Sequence, residues 1–348
     1  NCQLGVAKKI ALKLAESVEA LALVWDGKNI EASASIGVTP VTAEHANVDG
    51  VIAAAEVACS SIKDRGGNGV SVYRSGDEEL VQRKSYMDLV GRIQDTLRSD
   101  RFVLYCQPIV PLQPDDAEVH GEVLLRMQDE AGDIVAPGLF LPAAERYHLM
   151  PAIDRWVVGK TLAMLEDSGV FKLHSSAMIS VNLSGQTLSD ESFVRFVHDI
   201  LDKSSVPARN LCFEITETTA ISDADQAQRF IAAFKERGVL FALDDFGTGL
   251  SSFSYLKELP VDFLKIDGSF VKEICTDPIA ETMVSAINQV GHTMNLKTIG
   301  EFVENDAIQE RLTALGVDYG QGYGIAKPKP FSEYLADTLA ESQVKNTG

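Results

Sequence analysis

The sequence has no cysteine pair at CxxC spacing, no apolar run of spanning length and a shortage of basic charge, and each shortage removes a class of protein. Its five cysteines (Cys2, Cys59, Cys106, Cys212, Cys275) are scattered and odd in number. That argues against a disulfide framework or a zinc site and for reduced thiols in a cytoplasmic setting. No stretch approaches the roughly 20 apolar residues of a membrane helix, and there is no signal-peptide pattern. Lysine and arginine number 31 against 50 acidic residues, a net charge of −19 that repels duplex nucleic acid and anionic membrane surfaces. An anionic small molecule is compatible with that charge if bound metal ions invert the local potential. At 348 residues the chain has material for two or three domains. It starts at Asn1 in an amphipathic pattern and reads as a piece of a longer protein, with any membrane segment lying upstream.

What is present centres on Val239 to Asp267. A short apolar run ends on two adjacent carboxylates, Asp244 and Asp245. A loop with Gly247-Thr248-Gly249 follows, then a second strand carrying Lys265 and ending on Asp267. Like charges side by side are costly unless a cation sits between them. A lone pair of this kind is ordinarily a solvated strand end with a helix cap, but the same grammar recurs along the chain.

Residues 4–24 have helical periodicity, followed by two short strands near 24–25 and 32–38, a helix over 48–64, a turn at 65–69 and a strand at 70–73. Residues 76–98 read as a linker helix. From Phe102 on, strands are expected near 102–109, 119–126, 178–183, 211–216, 239–244, 261–266, 296–300 and 317–320. Helices are expected near 152–167, 190–203, 224–237, 279–293 and 304–315. This alternation predicts a TIM-like α/β fold, a (β/α)8 barrel over residues 99–342. The first connection, Val110 to Glu118, is too short for a crossover helix, so the first strand is expected to pair antiparallel and make the barrel irregular.

Barrel closure brings strand ends together on one face. Those ends carry Glu122 and Arg126, Asn182, Glu214 and Glu217, Asp244 and Asp245, Lys265 and Asp267, Glu301, and Gln321 with Tyr323. So many converging carboxylates call for metal. Carboxylates and an amide, without histidine or cysteine, suit Mg²⁺ or Mn²⁺ better than Zn²⁺. The six histidines are expected at surface or half-buried positions.

The chain from 98 to 340 resembles an EAL domain, the cyclic di-GMP phosphodiesterase family. The matching stretches are Tyr105 to Ile109, Glu122-Val123-Leu124-Leu125-Arg126, Pro137 to Glu145, Val181 to Ser184, Phe213 to Glu217, Asp244 to Gly249, Leu264 to Asp267 and Gln321-Gly322-Tyr323. The resemblance implies two metal ions per site, held by Glu122, Asn182, Glu214, Asp244, Asp245 and Glu301. It implies Lys265 at the attacking water or phosphate, supported by Asp267 and Gln321, and Glu217 bracing the loop from Phe246 to Ser252. It places Gln107, Arg126, Asn182, Pro142 and Tyr323 at the substrate, cyclic di-GMP, with linear pGpG as product and a homodimer formed through the barrel. A conformational receptor that binds without turnover is the alternative.

Two departures stand out. Valine replaces alanine in Glu122-Val123-Leu124, a packing matter. In Ile299-Gly300-Glu301-Phe302-Val303-Glu304, Phe302 stands where the family has a small residue; it either packs on a neighbouring helix or stacks on a guanine. Residues 1–75 resemble the second half of a GGDEF (diguanylate cyclase) domain, through Ala34 to Val38, Ala53 to Lys63 and Asp64 to Val70. They lack the signature motif, so no cyclase activity is expected of them.

Overall fold

The computed structural model describes residues 2, 4–19, 23–25, 28–30, 33–41, 51, 55, 58–59, 62, 69–73, 78–113, 120–172, 177–247 and 255–345. These form two compact units, Asn1–Gln94 and Asp95–Gly348. The division falls inside a helix, Glu78–Arg98, that covers the expected linker.

In the first unit, helix Leu4–Glu19 precedes a small antiparallel hairpin, Leu23–Trp25 with Lys28–Ile30. Strand Ser35–Val38 then pairs in parallel with Gly69–Val72. Three strands thus stand where two were expected before the second helix. Most of that helix (48–64) and residues 65–68 of the expected turn lie outside the described residues, although Val51, Ala55, Ala58, Cys59 and Ile62 are helical and Gly69 opens a strand. Gly37 explains why the motif carries glycine: a Cβ there would sit 1.9 Å from the Ala55 carbonyl oxygen. The helix backbone lies directly on the strand.

The second unit is an eight-stranded barrel. We label its strands β1 (Phe102–Pro111), β2 (His120–Gln128), β3 (Met178–Asn182), β4 (Leu211–Thr216), β5 (Leu240–Phe246), β6 (Phe263–Ile266), β7 (Lys297–Gly300) and β8 (Tyr319–Gly320). Strands β2 to β8 are parallel to their neighbours in sequence order, while β1 runs antiparallel to both β2 and β8 and closes the ring. The return from Pro111 to His120 is too short for a crossover helix, which forces this pairing. The outer helices are α1 (Pro137–Arg146), α2 (Met150–Ser168), α3 (Glu191–Lys203), α4 (Ala224–Lys235), α5 (Pro278–Thr293), α6 (Asp306–Ala314) and α7 (Phe331–Lys345). Helix α1 was missed in the sequence because Pro137 and Pro142 punctuate it. Pro137 begins the helix, where no N–H is needed, and Pro142 is inside it. Helix α7 was also missed. Its Tyr334 hydroxyl donates to the His120 carbonyl at 3.0 Å.

Strand periodicity sorts the barrel interior into layers. One apolar layer takes Ile109, Met178, Cys212, Ala242, Phe263, Ile299 and Tyr319, one residue from each of seven strands. His120 of β2 completes the ring, edge-on to Tyr319 at 4.9 Å between centroids. It is buried, contrary to the surface or half-buried position expected for every histidine. Two residues on along each strand (two before, on antiparallel β1) stand Gln107, Glu122, Ser180, Glu214, Asp244, Lys265, Glu301 and Gln321. The apolar layer is the floor and this polar layer is the site.

Candidate functional site

Lys265 is the centre of the polar layer. Its side chain is 1% exposed, and its ammonium lies 2.7 Å from Glu214 Oε2, 2.9 Å from Glu301 Oε1, 3.1 Å from Asp244 Oδ1 and 3.5 Å from Glu122 Oε2. Burial alone would lower its pKa, but these four carboxylates outweigh it and hold the ammonium charged, well above its ordinary value. One positive charge cannot neutralise four. Burial first, and then the crowding of like charge against the pull of Lys265, pushes Glu214 and Glu301 each up to about 8.

Glu122 is tied to two side-chain amides. It accepts from Asn182 Nδ2 at 2.5 Å and from Gln321 Nε2 at 2.6 Å. The Gln321 amide also reaches Gln107 Oε1 at 3.3 Å, and Gln107 Nε2 donates to the Ala326 carbonyl at 3.0 Å. The β8 loop is thereby fastened to the β1–β2 edge of the site.

Asp244 and Asp245 are adjacent, and in a regular strand they would face opposite ways. The β5–β6 register shifts between Leu243 and Phe246, and Asp245 takes a left-handed backbone with φ 55°. This bulge re-aims Asp245, so that oxygens of Asp244, Asp245 and Glu301 all lie within 4.8 Å of one another. Burial, then the charges of Asp244 and Asp267, raise Asp245 to about 6. Buried Glu214 Oε1 and Gln321 Oε1 accept no hydrogen bond. Hard oxygen donors, surplus negative charge and orphaned buried acceptors together fit a divalent cation of the Mg²⁺, Mn²⁺ or Ca²⁺ kind.

A cavity of about 450 Å³ opens above this cluster, lined among others by Gln107, Glu122, Arg126, Asp244, Asp245 and Glu301. Phe302, Tyr323 and Gln321 border it too. A second cavity, about 540 Å³, shares Leu124 and Arg126 with the first and is bordered by Asn182, Ser184 and Gln186. Arg126 therefore stands between the two, its guanidinium 5.4 Å from the Tyr105 ring centroid.

Most residues singled out in the sequence converge here, and Pro142 does not: it sits within α1 and lines neither cavity. Asp267 has two partners: it caps the short helix Gly268–Glu273, accepting from the Ser269 amide at 2.8 Å, and its carboxylate stands against Asp245. Glu217 accepts from the Gly247 amide at 2.9 Å and from the Tyr255 hydroxyl at 2.7 Å, gripping both ends of a loop whose residues 248–254 lie outside the described set.

Sequence reasoning missed Asp154, Tyr255 and Lys272. Asp154 lies on the apolar face of α2, beside Ile153, Val157 and Val158. A carboxylate interrupting such a stripe was the available signal. Its Oδ2 accepts from the Ser184 amide, the Ser184 hydroxyl and the Thr187 hydroxyl at 2.9, 2.8 and 2.6 Å, fixing the loop after Asn182. Burial nevertheless raises Asp154 to about 6. A carboxyl whose folded pKa exceeds its unfolded value favours the folded state at low pH and loses that advantage as pH rises through the folded value. Asp154→Asn is therefore expected to remove a decline in stability between about pH 4 and pH 6, of up to about 3 kcal/mol. Denaturant titrations of both proteins across that range check it.

Gly322 shows how closely the β7 and β8 loops approach. A Cβ there would lie 2.2 Å from Val303 N and 2.3 Å from Val303 O. The two loops are zipped by Val303 N to Gln321 O at 3.0 Å and Gly324 N to Val303 O at 2.8 Å. Gly322→Ala is expected to cost about 1–3 kcal/mol by overpacking. It should also weaken divalent-cation binding, because Val303 moves with Glu301. Urea denaturation and calorimetric metal titration measure the two effects.

Residues 90–328 match the EAL domain family. The cyclic di-GMP phosphodiesterase PdeB of Shewanella oneidensis is 38% identical over 306 residues, covering 88% of this chain and 36% of PdeB. The cyclic di-GMP phosphodiesterase PdeF of Escherichia coli is 37% identical over 259 residues, covering 74% of this chain and 33% of PdeF. The chain thus spans about a third of the length of these curated relatives. The solved structure of the PaMucR phosphodiesterase in complex with c-di-GMP is 35% identical, with a TM-score of 0.66, over 71% of this chain and 99% of that one. The family match covers well over half of the residues and coincides with the barrel, its acidic ring and its cavity, and the chain belongs to the EAL domain family.

Proposed function

We propose that the barrel hydrolyses cyclic di-GMP to linear pGpG. The observation that carries this reading is the ring of four carboxylates around buried Lys265, with Asp245 turned in beside it, beneath a cavity that is open to solvent. Hydrolysis adds water across one P–O bond: an oxygen of water joins phosphorus, the 3′ ester oxygen leaves, and a proton restores the free hydroxyl. Two Mg²⁺ or Mn²⁺ ions, held by Glu122, Asn182, Glu214, Asp244, Asp245 and Glu301, would supply Lewis acidity and a lowered water pKa. Lys265 adds a fixed positive charge against the negative charge that builds on the phosphoryl oxygens. Gln107 and Arg126 border the cavity where the dinucleotide's bases and phosphates lie. Glu217 holds the loop after β5, and Gln321 fixes the orientation of Glu122.

The same reading extends to the remainder of the chain. Residues 1–75 are the second half of a GGDEF domain, and residues 76–98 are the linker to the barrel. The parallel pairing of Ser35–Val38 with Gly69–Val72 around a helix supports this, as does an alignment with PdeB that is longer than the barrel match. The protein works in the cytoplasm as a homodimer through the barrel. Among the described residues no helix is long and apolar enough to cross a membrane.

The test is chromatographic. The purified chain, incubated with cyclic di-GMP and Mg²⁺ or Mn²⁺, should yield pGpG, and chelation should stop it. Metal-dependent binding without any product would overturn the enzyme in favour of the conformational receptor.

A further inference from the structure

Phe302 follows β7 with φ 51°, a left-handed backbone that suits glycine and strains a bulky side chain. Packing does not account for the strain, because the side chain is not buried: Phe302 is 51% exposed and lines the cavity above the acidic cluster. It is nonetheless held in place. The Cγ–Cδ2 side of the ring rests on Gly268, where a Cβ would approach Cδ2 to 2.1 Å, so only glycine leaves room for it. The ammonium of Lys272, on the same short helix, lies 4.2 Å from the ring centroid, a close cation–π contact. Lys272 is steadied in turn by Glu304 at 3.9 Å. Lys272, Glu304 and Tyr323, the last 64% exposed, all border the same cavity. An immobilised ring in a strained conformation, kept partly open to a polar cavity with a cation against it, is a platform for a planar, electron-rich ligand.

We propose that Phe302 is a substrate-positioning residue whose ring stacks on a purine base of the substrate with its cavity-facing side, while Lys272 and Gly268 hold the ring in place. This rests on the phosphodiesterase reading above. The strain persists because the left-handed turn aims the ring over the cavity, directly after Glu301. Stacking of one base on one aromatic side chain corresponds to roughly a five- to hundredfold change in affinity.

The test uses the whole chain in four forms: wild type, Phe302→Gly, Phe302→Leu and Phe302→Trp. Glycine suits the backbone, so Phe302→Gly should melt no lower than wild type, yet its KM for cyclic di-GMP should rise roughly tenfold or more. Phe302→Leu keeps apolar bulk without a π face and should behave like the glycine variant in KM. Phe302→Trp should restore a wild-type KM, with fluorescence quenched on adding cyclic di-GMP beyond the quenching seen in wild type. An unchanged KM in both the glycine and leucine variants overturns the inference while leaving the phosphodiesterase standing. A lower melting temperature for Phe302→Gly with unchanged KM shows a packing role instead. If wild type neither binds nor hydrolyses cyclic di-GMP, both readings fall.

Discussion

Lys265→Met should lower turnover of cyclic di-GMP by roughly 10²- to 10³-fold, the scale of losing one electrostatic donor at a developing charge. The same substitution should also destabilise the metal-free protein, because Lys265 is the cation that four carboxylates share, three of them buried. Removing one partner of a buried ion pair ordinarily costs about 3–5 kcal/mol, since the remaining charges stay buried without compensation. A divalent cation should give much of that stability back. The cluster is more negative once the ammonium has gone, so calorimetry should find the ion bound more tightly than in wild type. Urea denaturation with and without Mg²⁺ is the measurement. An unchanged metal-free stability, or metal affinity that falls with Lys265, would show that the lysine organises the ligands and does not merely compete with them.

Glu122→Ala is expected to act in the opposite way on binding and more severely on rate. Glu122 is a candidate metal ligand that also receives the Asn182 and Gln321 amides at 2.5 and 2.6 Å. Its loss frees two side chains and removes one carboxylate from the cluster at a stroke. Turnover should fall by about 10³-fold or more, the scale of losing metal-supplied charge stabilisation together with orientation. Metal affinity should fall as well. The folded state should suffer far less than in Lys265→Met, because the substitution relieves like-charge crowding. Product formation measured by chromatography, beside metal titration, gives both numbers. Near-normal rates would remove Glu122 from the site.

The contrast between these two variants was not legible in the sequence. Lys265 reads there as a positive group at the reacting phosphate. In the structure it is buried beneath the cavity, and every strand end that carries an interior carboxylate points at it. Nothing along the chain relates residue 265 to residues 122, 214, 244 and 301, because a strand's sequence gives its period but not its neighbours. Asp245 and Asp267 show the same limit in opposite directions. Both look like acidic strand ends. A register shift turns Asp245 into the cavity, whereas Asp267 divides its carboxylate between a helix cap and Asp245. Phe302 was left open between packing and stacking; the structure gives it contacts on Gly268 and Lys272 and still leaves half its surface facing the cavity.

Local properties of the chain specify the architecture and the donor types at the strand ends. Alternating strands and helices specify a barrel, and period-2 side chains place one apolar and one polar residue on the inside of each strand. The oxygen-only donor set then selects a hard cation. These follow from local properties: backbone periodicity, side-chain charge and the missing crossover between β1 and β2. Tertiary structure alone decided the distances and the burial. Closure of the ring removed Lys265 and Glu214 from water, set four carboxylates within 3.5 Å of one ammonium, and left a left-handed phenylalanine at the rim. Electrostatic energies depend on separation and on the medium between charges, and neither exists until strands far apart in the chain are brought side by side.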